Sequence, residues 1–177
     1  VAILDTGADV KHPDFRLSDA GLAEAKYNET SINEKIAELH LWGRFETDKI
    51  PYAYNYADRS FDLLDKADHG QHIAGTIAGN ALDPSKGVVG VVPEAQLMVM
   101  RVFSIGAPTT NTAIYAEAID DSVLLGADSI NMSLGGFAGS EDADKVMTKV
   151  VQRANEHGTI VCIAGGNDVY QFSNFNY

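Results

Sequence analysis

The opening stretch of the chain, VAILDTG at residues 1–7, predicts a buried β-strand that runs directly into a turn. Its first four residues are apolar and partly β-branched, and the run stops at Asp-Thr-Gly, residue types that favour turns. Two later stretches repeat the pattern, INMSLGG at 130–136 and IVCIAGGND at 160–168. Each predicts a strand that ends in a polar, glycine-containing turn.

Segments with helical features separate these strands. Residues 69–79 are mostly small and apolar, residues 111–126 carry apolar side chains four positions apart, and acidic residues at 141–144 precede a third helical segment. Two further apolar stretches, 50–57 and 95–103, predict strands. Strands that alternate with helices in this way predict an α/β fold, with a parallel sheet and helices on both faces.

The carboxyl ends of parallel strands meet at one edge of a sheet, and chemistry is usually found there. The turns DTG, MSLGG and AGGND follow three of the predicted strands, so we expect their polar groups to converge on that edge. A separate, more polar stretch at about 16–50 predicts a surface insertion. Within it, Ser31 and Glu34 form a capping-box pattern that predicts a short helix, ended by Trp42 and Gly43.

Length and charge restrict the possible functions. A chain of 177 residues is one domain or most of one, and its net charge of −12 disfavours nucleic acid or an anionic membrane as a partner. No apolar run is long enough to span a bilayer. The single cysteine, Cys162, excludes an internal disulfide and is predicted to be a buried small hydrophobe.

Three residues stand out as candidates for chemistry. Asp5 could cap its turn, or it could orient an imidazole; His69 could be a general base oriented in this way. His69 and His72 could also bind zinc, although they lack the spacing and the glutamate of the His-Glu-x-x-His motif. Asn167 could be a turn residue, or it could donate its side-chain N–H to a developing oxyanion.

Four segments in order resemble the subtilisin-like serine proteases, or subtilases. VAILDTGADVKHPDF resembles their aspartate segment, HGQHIAGTIAG their histidine segment, INMSLGG their substrate-pairing segment and IAGGND their oxyanion segment. The stretches VPEAQLMVMRV and AIDDSVLLGADSINMSLGG further resemble the large Gram-positive cell-envelope proteinases of the lactocepin type.

The resemblance implies a role for each matched residue. Asp5 would orient the histidine, His69 would be the general base, and His72 would be a structural residue packed beneath the site. Asn167 would be the oxyanion donor. The substrate cleft would be lined by Ser133, Leu134 and Gly135, whose backbone would pair with an extended peptide.

A structural calcium ion is a further implication of the resemblance. Asp14 matches a position that ligates calcium in many subtilases, and the loop from Asn80 to Gly87 could supply other oxygens. No cofactor is implied for the chemistry itself. The family resemblance also implies a polypeptide substrate and an extracellular or cell-envelope location.

Two departures from the family pattern affect the expected function. Gln71 replaces the usual Thr between the two histidines, and no Gly-Thr-Ser-Met-Ala type segment is present for the nucleophile; Ser173 lacks its context. We therefore expect residues 1–177 to be the front part of a serine endopeptidase catalytic domain, inactive alone and partnered by the remainder of that domain. The alternatives are a non-catalytic peptide-binding pseudoprotease and a metal-dependent hydrolase.

Overall fold

The computed structural model describes residues 1–64, 68–107, 109–135 and 141–166, apart from the side chains of 141–144. Within these ranges the chain alternates strands and helices. None of the described helices is long and apolar enough to cross a membrane. The elements in chain order are β1 Ala2–Asp5, α1 Asp19–Ala23, α2 Glu29–Leu39, β2 Tyr52–Asn55, α3 His69–Ala78, β3 Met98–Arg101, α4 Thr112–Leu124, β4 Ser129–Met132, α5 Glu141–Glu156 and β5 Ile160–Ile163.

The five described strands form one sheet in the order β2-β3-β1-β4-β5, and every neighbouring pair is parallel. Their carboxyl ends therefore lie along a single edge. In the register of β1 with β3, Asp5 stands opposite Arg101. The parallel sheet predicted from the alternation of strands and helices is confirmed.

Each face of the sheet has its own hydrophobic core, because successive residues of a strand point to opposite faces. Ile3 and Val99 belong to the core that includes Ala74 and Ala78 of α3. The other core contains Leu4, Met100 and Ile130 of the strands, and helices α4 and α5 contribute to it. Helices thus cover both faces, as predicted.

The segment 16–50 differs from its prediction in how its longer helix begins. The capping box of α2 joins Asn28 and Ser31, whereas the Ser31–Glu34 pair was predicted. Asn28 is extended and starts the helix one turn earlier, and the left-handed His40 ends it before Trp42. Ile32 is fully buried in the core, so this helix packs against the rest of the protein through that side chain.

Strand β5 forms where it was predicted, but it is not a buried strand. Ile160 is 64% exposed and Ile163 is 50% exposed. Cys162 is exposed as well, so the prediction that it is a buried hydrophobe is wrong. The physical reason is position: β5 is the last strand of the sheet and pairs with β4 alone among the described strands.

Candidate functional site

The candidate site is a carboxylate–imidazole pair at the carboxyl edge of the sheet. Asp5 ends β1 and is 2% exposed, and His69 begins α3 with a side chain that is 55% exposed. Nδ1 of His69 lies 2.8 Å from Oδ1 of Asp5. An imidazole whose Nδ1–H donates to a carboxylate keeps its Nε2 free to accept a proton, so this geometry suits a general base.

The same carboxylate is held by the turn that follows it. The backbone N–H of Thr6 donates to Oδ1 of Asp5 at 2.7 Å. The other oxygen, Oδ2, is buried and has no hydrogen-bond partner in the described part of the chain. The carboxylate is thus oriented through one oxygen, which serves both the turn and His69.

The helix α3 can approach the turn because its second residue is Gly70. A Cβ at Gly70 would stand 2.2 Å from the carbonyl oxygen of Gly7 and 3.2 Å from Oδ1 of Asp5. Gly7 has a φ of +89°, a backbone conformation that favours glycine. Both glycines are therefore needed for the close contact that brings His69 onto Asp5.

A buried cation supports the turn from the neighbouring strand. Arg101 is fully buried at the end of β3, donates from Nη1 to the Thr6 carbonyl at 2.6 Å, and donates from Nε to the Phe103 carbonyl at 2.7 Å. No sequence motif indicates this role for Arg101. The sequence feature that could have indicated the role is a charged residue at the end of an otherwise apolar strand, because a buried charge requires polar partners.

Gln71, the residue that departs from the family pattern, also contacts the aspartate loop. Its side-chain carbonyl oxygen accepts the backbone N–H of Asp9 at 2.7 Å. The contact joins α3 to the loop four residues beyond Asp5. The residue type alone did not predict this partner, which is 62 positions away in the chain.

His72 does not pack beneath the site in this structure. The buried residues of α3 are Gly70, Ala74 and Ala78, which follow one face at four-residue spacing. His72 lies off that face and is exposed, so the prediction of a packed, structural histidine is wrong. No group of three or more His, Cys, Asp or Glu side chains in the described ranges could hold a metal ion.

The predicted substrate-pairing residues follow β4 at the same edge as Asp5. Ser133 and Leu134 are partly buried and Gly135 is exposed. The side chain of Asn131 donates to Oγ of Ser133 at 3.0 Å, and a Cβ at Gly135 would stand 3.4 Å from Cα of Gly166 after β5. The turns after β4 and β5 are therefore neighbours. Asn167, the predicted oxyanion donor, lies outside the described residues.

Asp14 lies against the predicted calcium loop. Its carboxylate accepts the backbone N–H of Val88 at 3.0 Å, and its carbonyl accepts that of Asn80 at 2.7 Å. The loop carboxylate of Asp83 is bound instead by Ser85 and Lys86. Asp14 is thus the carboxylate that could bind a calcium ion at this loop. The other ligands of that ion would be backbone or amide oxygens. The calcium site stays a prediction.

A buried series of hydrogen bonds that no sequence motif indicates lies between β2 and α4. The N–H of Gly43 donates to the Tyr52 hydroxyl at 3.2 Å, Tyr52 and Tyr56 share a hydrogen bond of 2.9 Å, and Tyr56 donates to Oδ2 of Asp121 at 2.7 Å. Burial raises the pKa of Asp121 to about 6, and the hydrogen bond from Tyr56 opposes this increase. This series of hydrogen bonds therefore ends at a carboxyl group whose pKa is raised by burial.

A parallel α/β sheet with a hydrogen-bonded Asp–His pair at its carboxyl edge is the arrangement used by one class of α/β enzymes, the hydrolases with an Asp-His-Ser triad. Within that class, the chain belongs to the subtilase family, whose model matches residues 1–176. The subtilase resemblance noted in the sequence is thereby confirmed.

Curated relatives are bacterial peptidases. The chain is 42% identical over 174 residues to a PII-type proteinase of Lacticaseibacillus paracasei, covering 94% of this chain and 9% of that protein. It is 34% identical over 177 residues to a C5a peptidase of Streptococcus pyogenes, covering 95% of this chain and 15% of that protein. The resemblance to the lactocepin type agrees with the first of these.

Solved structures show the same fold. The structure titled Sphericase aligns with a TM-score of 0.62 and 23% identity, over 96% of this chain and 46% of that one. The chain therefore spans about half the length of this structure and a small part of the curated relatives.

Proposed function

We propose that this chain supplies the aspartate and the histidine of a serine endopeptidase, and that the serine nucleophile belongs to another part of the same protein. The observation that carries the proposal is the 2.8 Å contact between Nδ1 of His69 and Oδ1 of the buried Asp5. Membership of the subtilase family and the peptidase names of the relatives support it.

In the proposed reaction, Nε2 of His69 accepts the proton of the serine hydroxyl as the serine oxygen attacks the scissile carbonyl. The imidazolium is stabilised by the ionised Asp5 and then gives its proton to the leaving amine. Water hydrolyses the resulting acyl-enzyme by the same exchange in reverse. Asn167 is the proposed donor to the oxyanion, a contact that is typically worth about 10²–10³ in rate.

A polypeptide is the proposed substrate, and residues 133–135 are the proposed strand that pairs with it. In the described part of the chain, the backbone of these three residues makes no hydrogen bond to other backbone groups. They directly follow β4, whose ladder with β5 ends at Met132. An extended peptide could therefore add its own backbone hydrogen bonds here.

The proposed location is extracellular or attached to the cell envelope, and the proposed partner of this segment is the remainder of its own catalytic domain. The location rests on the similarity to the PII-type proteinase and the C5a peptidase. The partner rests on length, because the chain covers 46% of the matched Sphericase structure. The remainder of the domain would cover the exposed strand β5 and would also provide the nucleophile.

The test is intact-mass spectrometry of the full-length protein after treatment with a fluorophosphonate probe. We expect a single covalent adduct, lost in His69→Ala and retained in His72→Ala, whose side chain lies off the buried face of the same helix. A folded full-length protein that forms no adduct would refute the endopeptidase and leave the peptide-binding pseudoprotease.

A further inference from the structure

Three consecutive residues at the start of α3 bond to the loop that carries Asp5. His69 contacts the Asp5 carboxylate, the backbone N–H of Gly70 donates to the Thr6 hydroxyl at 2.9 Å, and the side chain of Gln71 accepts the N–H of Asp9 at 2.7 Å. The loop and the first turn of the helix are therefore joined at three successive residues and not only at the Asp5–His69 pair.

Among the described residues, few other hydrogen bonds hold the start of this helix. The first N–H groups of a helix have no partner within the helix, and the N-cap residue Asp68 makes no side-chain capping bond. More than half of the His69 side chain is exposed, so packing does not hold the ring in place. The position of His69 should therefore depend on its contact with Asp5 and on how firmly the backbone of α3 is fixed to the loop.

Gln71 accepts a hydrogen bond from Asp9 that a shorter side chain could not reach. Its acceptor oxygen lies two bonds further from the backbone than the hydroxyl of a threonine. A threonine at this position could not reach Asp9 unless the loop moved towards the helix. Gln71 is also partly buried, which reduces competition from water for the Asp9 N–H.

We propose that Gln71 is a positioning residue, whose side-chain carbonyl holds the loop after Asp5 against the helix that carries His69. This role rests on the proposed function, because the geometry that it maintains is that of the Asp5–His69 pair. Gln71 stands where the family usually has threonine, and its contact with Asp9 would keep the geometry of the site intact.

The experiment compares three variants of the full-length protein. Gln71→Met keeps the length of the side chain and removes the acceptor, Gln71→Glu keeps an acceptor oxygen, and His72→Ala is the control on the same helix. The readouts are the rate of fluorophosphonate labelling, kcat and KM for a peptide substrate, and hydrogen–deuterium exchange of the backbone amides in residues 6–10.

We expect Gln71→Met to lower kcat and the labelling rate about tenfold with KM unchanged, because a small misplacement of a catalytic group mainly affects the chemical step. Amide exchange in residues 6–10 should accelerate about tenfold. Gln71→Glu and His72→Ala should stay within about threefold of the wild type in every readout.

If Gln71→Met is labelled at the wild-type rate and its amides exchange at the wild-type rate, the positioning role is overturned. A wild type that does not react with the probe would instead remove the proposed endopeptidase function. In that case hydrogen–deuterium exchange still tests the contact between Gln71 and Asp9. Unchanged exchange in Gln71→Met would show that the contact does not hold the loop. Faster exchange in Gln71→Met, restored to the wild-type rate in Gln71→Glu, would support it.

Discussion

The substitution Gly70→Ala tests how closely α3 must approach the aspartate turn. The added methyl would stand 2.2 Å from the Gly7 carbonyl oxygen. Carbon–oxygen contacts are normally about 3.3 Å or longer, so the helix or the turn must move by about 1 Å. That movement would stretch the contact between Asp5 and His69 from 2.8 Å to about 3.8 Å, beyond hydrogen-bonding distance.

The expected result is a loss of about 100-fold in kcat, which is the loss that a 1 Å misplacement of a catalytic group can cause. Overpacking costs about 1–3 kcal/mol in the free energy of unfolding, and alanine's higher helix propensity offsets up to about 1 kcal/mol of this. The protein should therefore stay folded. Peptide hydrolysis and thermal unfolding of the full-length protein measure the two effects separately.

Gly75→Ala is the matched control on the same helix. A Cβ at Gly75 would meet Val88 at 3.8 Å, which is an ordinary van der Waals contact. We expect unchanged activity and a gain of up to about 1 kcal/mol in the free energy of unfolding. If Gly70→Ala keeps more than about a third of the wild-type kcat, the close contact does not determine the geometry of the pair and the reasoning fails.

Three further predictions concern the surroundings of the site. Asp121→Asn should flatten the dependence of stability on pH. The raised pKa of about 6 makes the folded wild type bind more protons than the unfolded chain, so the stability of the wild type falls as pH rises from about 4 to 6. Thermal unfolding of the wild type and the variant between pH 4 and 8 measures this difference. Arg101→Met should lower the free energy of unfolding by about 2–4 kcal/mol, because it leaves the partly buried Thr6 and Phe103 carbonyls without this donor; urea unfolding measures it, and a loss below about 1 kcal/mol would contradict the role of Arg101. Calcium should raise Tm relative to a chelator, and Asp14→Asn, which keeps an acceptor for the Val88 N–H, should abolish that shift; an equal shift in both proteins would place any calcium elsewhere.

The sequence was sufficient to predict the sheet and the main helices, because apolar runs and helical spacing reflect burial directly. The positions of β1, α3 and β4 followed from these patterns. The pairing of Asp5 with His69 followed from the resemblance of their two segments to those of the subtilases. These features depend on local pattern or on topology, which residue types can indicate.

Other features depend on which neighbour a side chain meets, and a linear pattern does not contain that information. Arg101 and Gln71 bind backbone groups of the aspartate loop that are far away in sequence. His72 was expected to be packed because of its family position, yet its place on the helix lies off the buried face. The apolar sequence of β5 correctly indicated a strand, but apolar character does not reveal how many strands flank it.

The exposed strand β5 also has a consequence for biosynthesis and handling of the protein. A strand with one neighbour presents a row of N–H and C=O groups to which another chain can add. The groove beside it is lined by Met147, Val151 and Ile163, so an added strand would also find apolar surface. Expressed alone, these 177 residues should therefore associate through this edge in a concentration-dependent manner. During synthesis on the ribosome, the same edge would be open to pairing with neighbouring nascent chains.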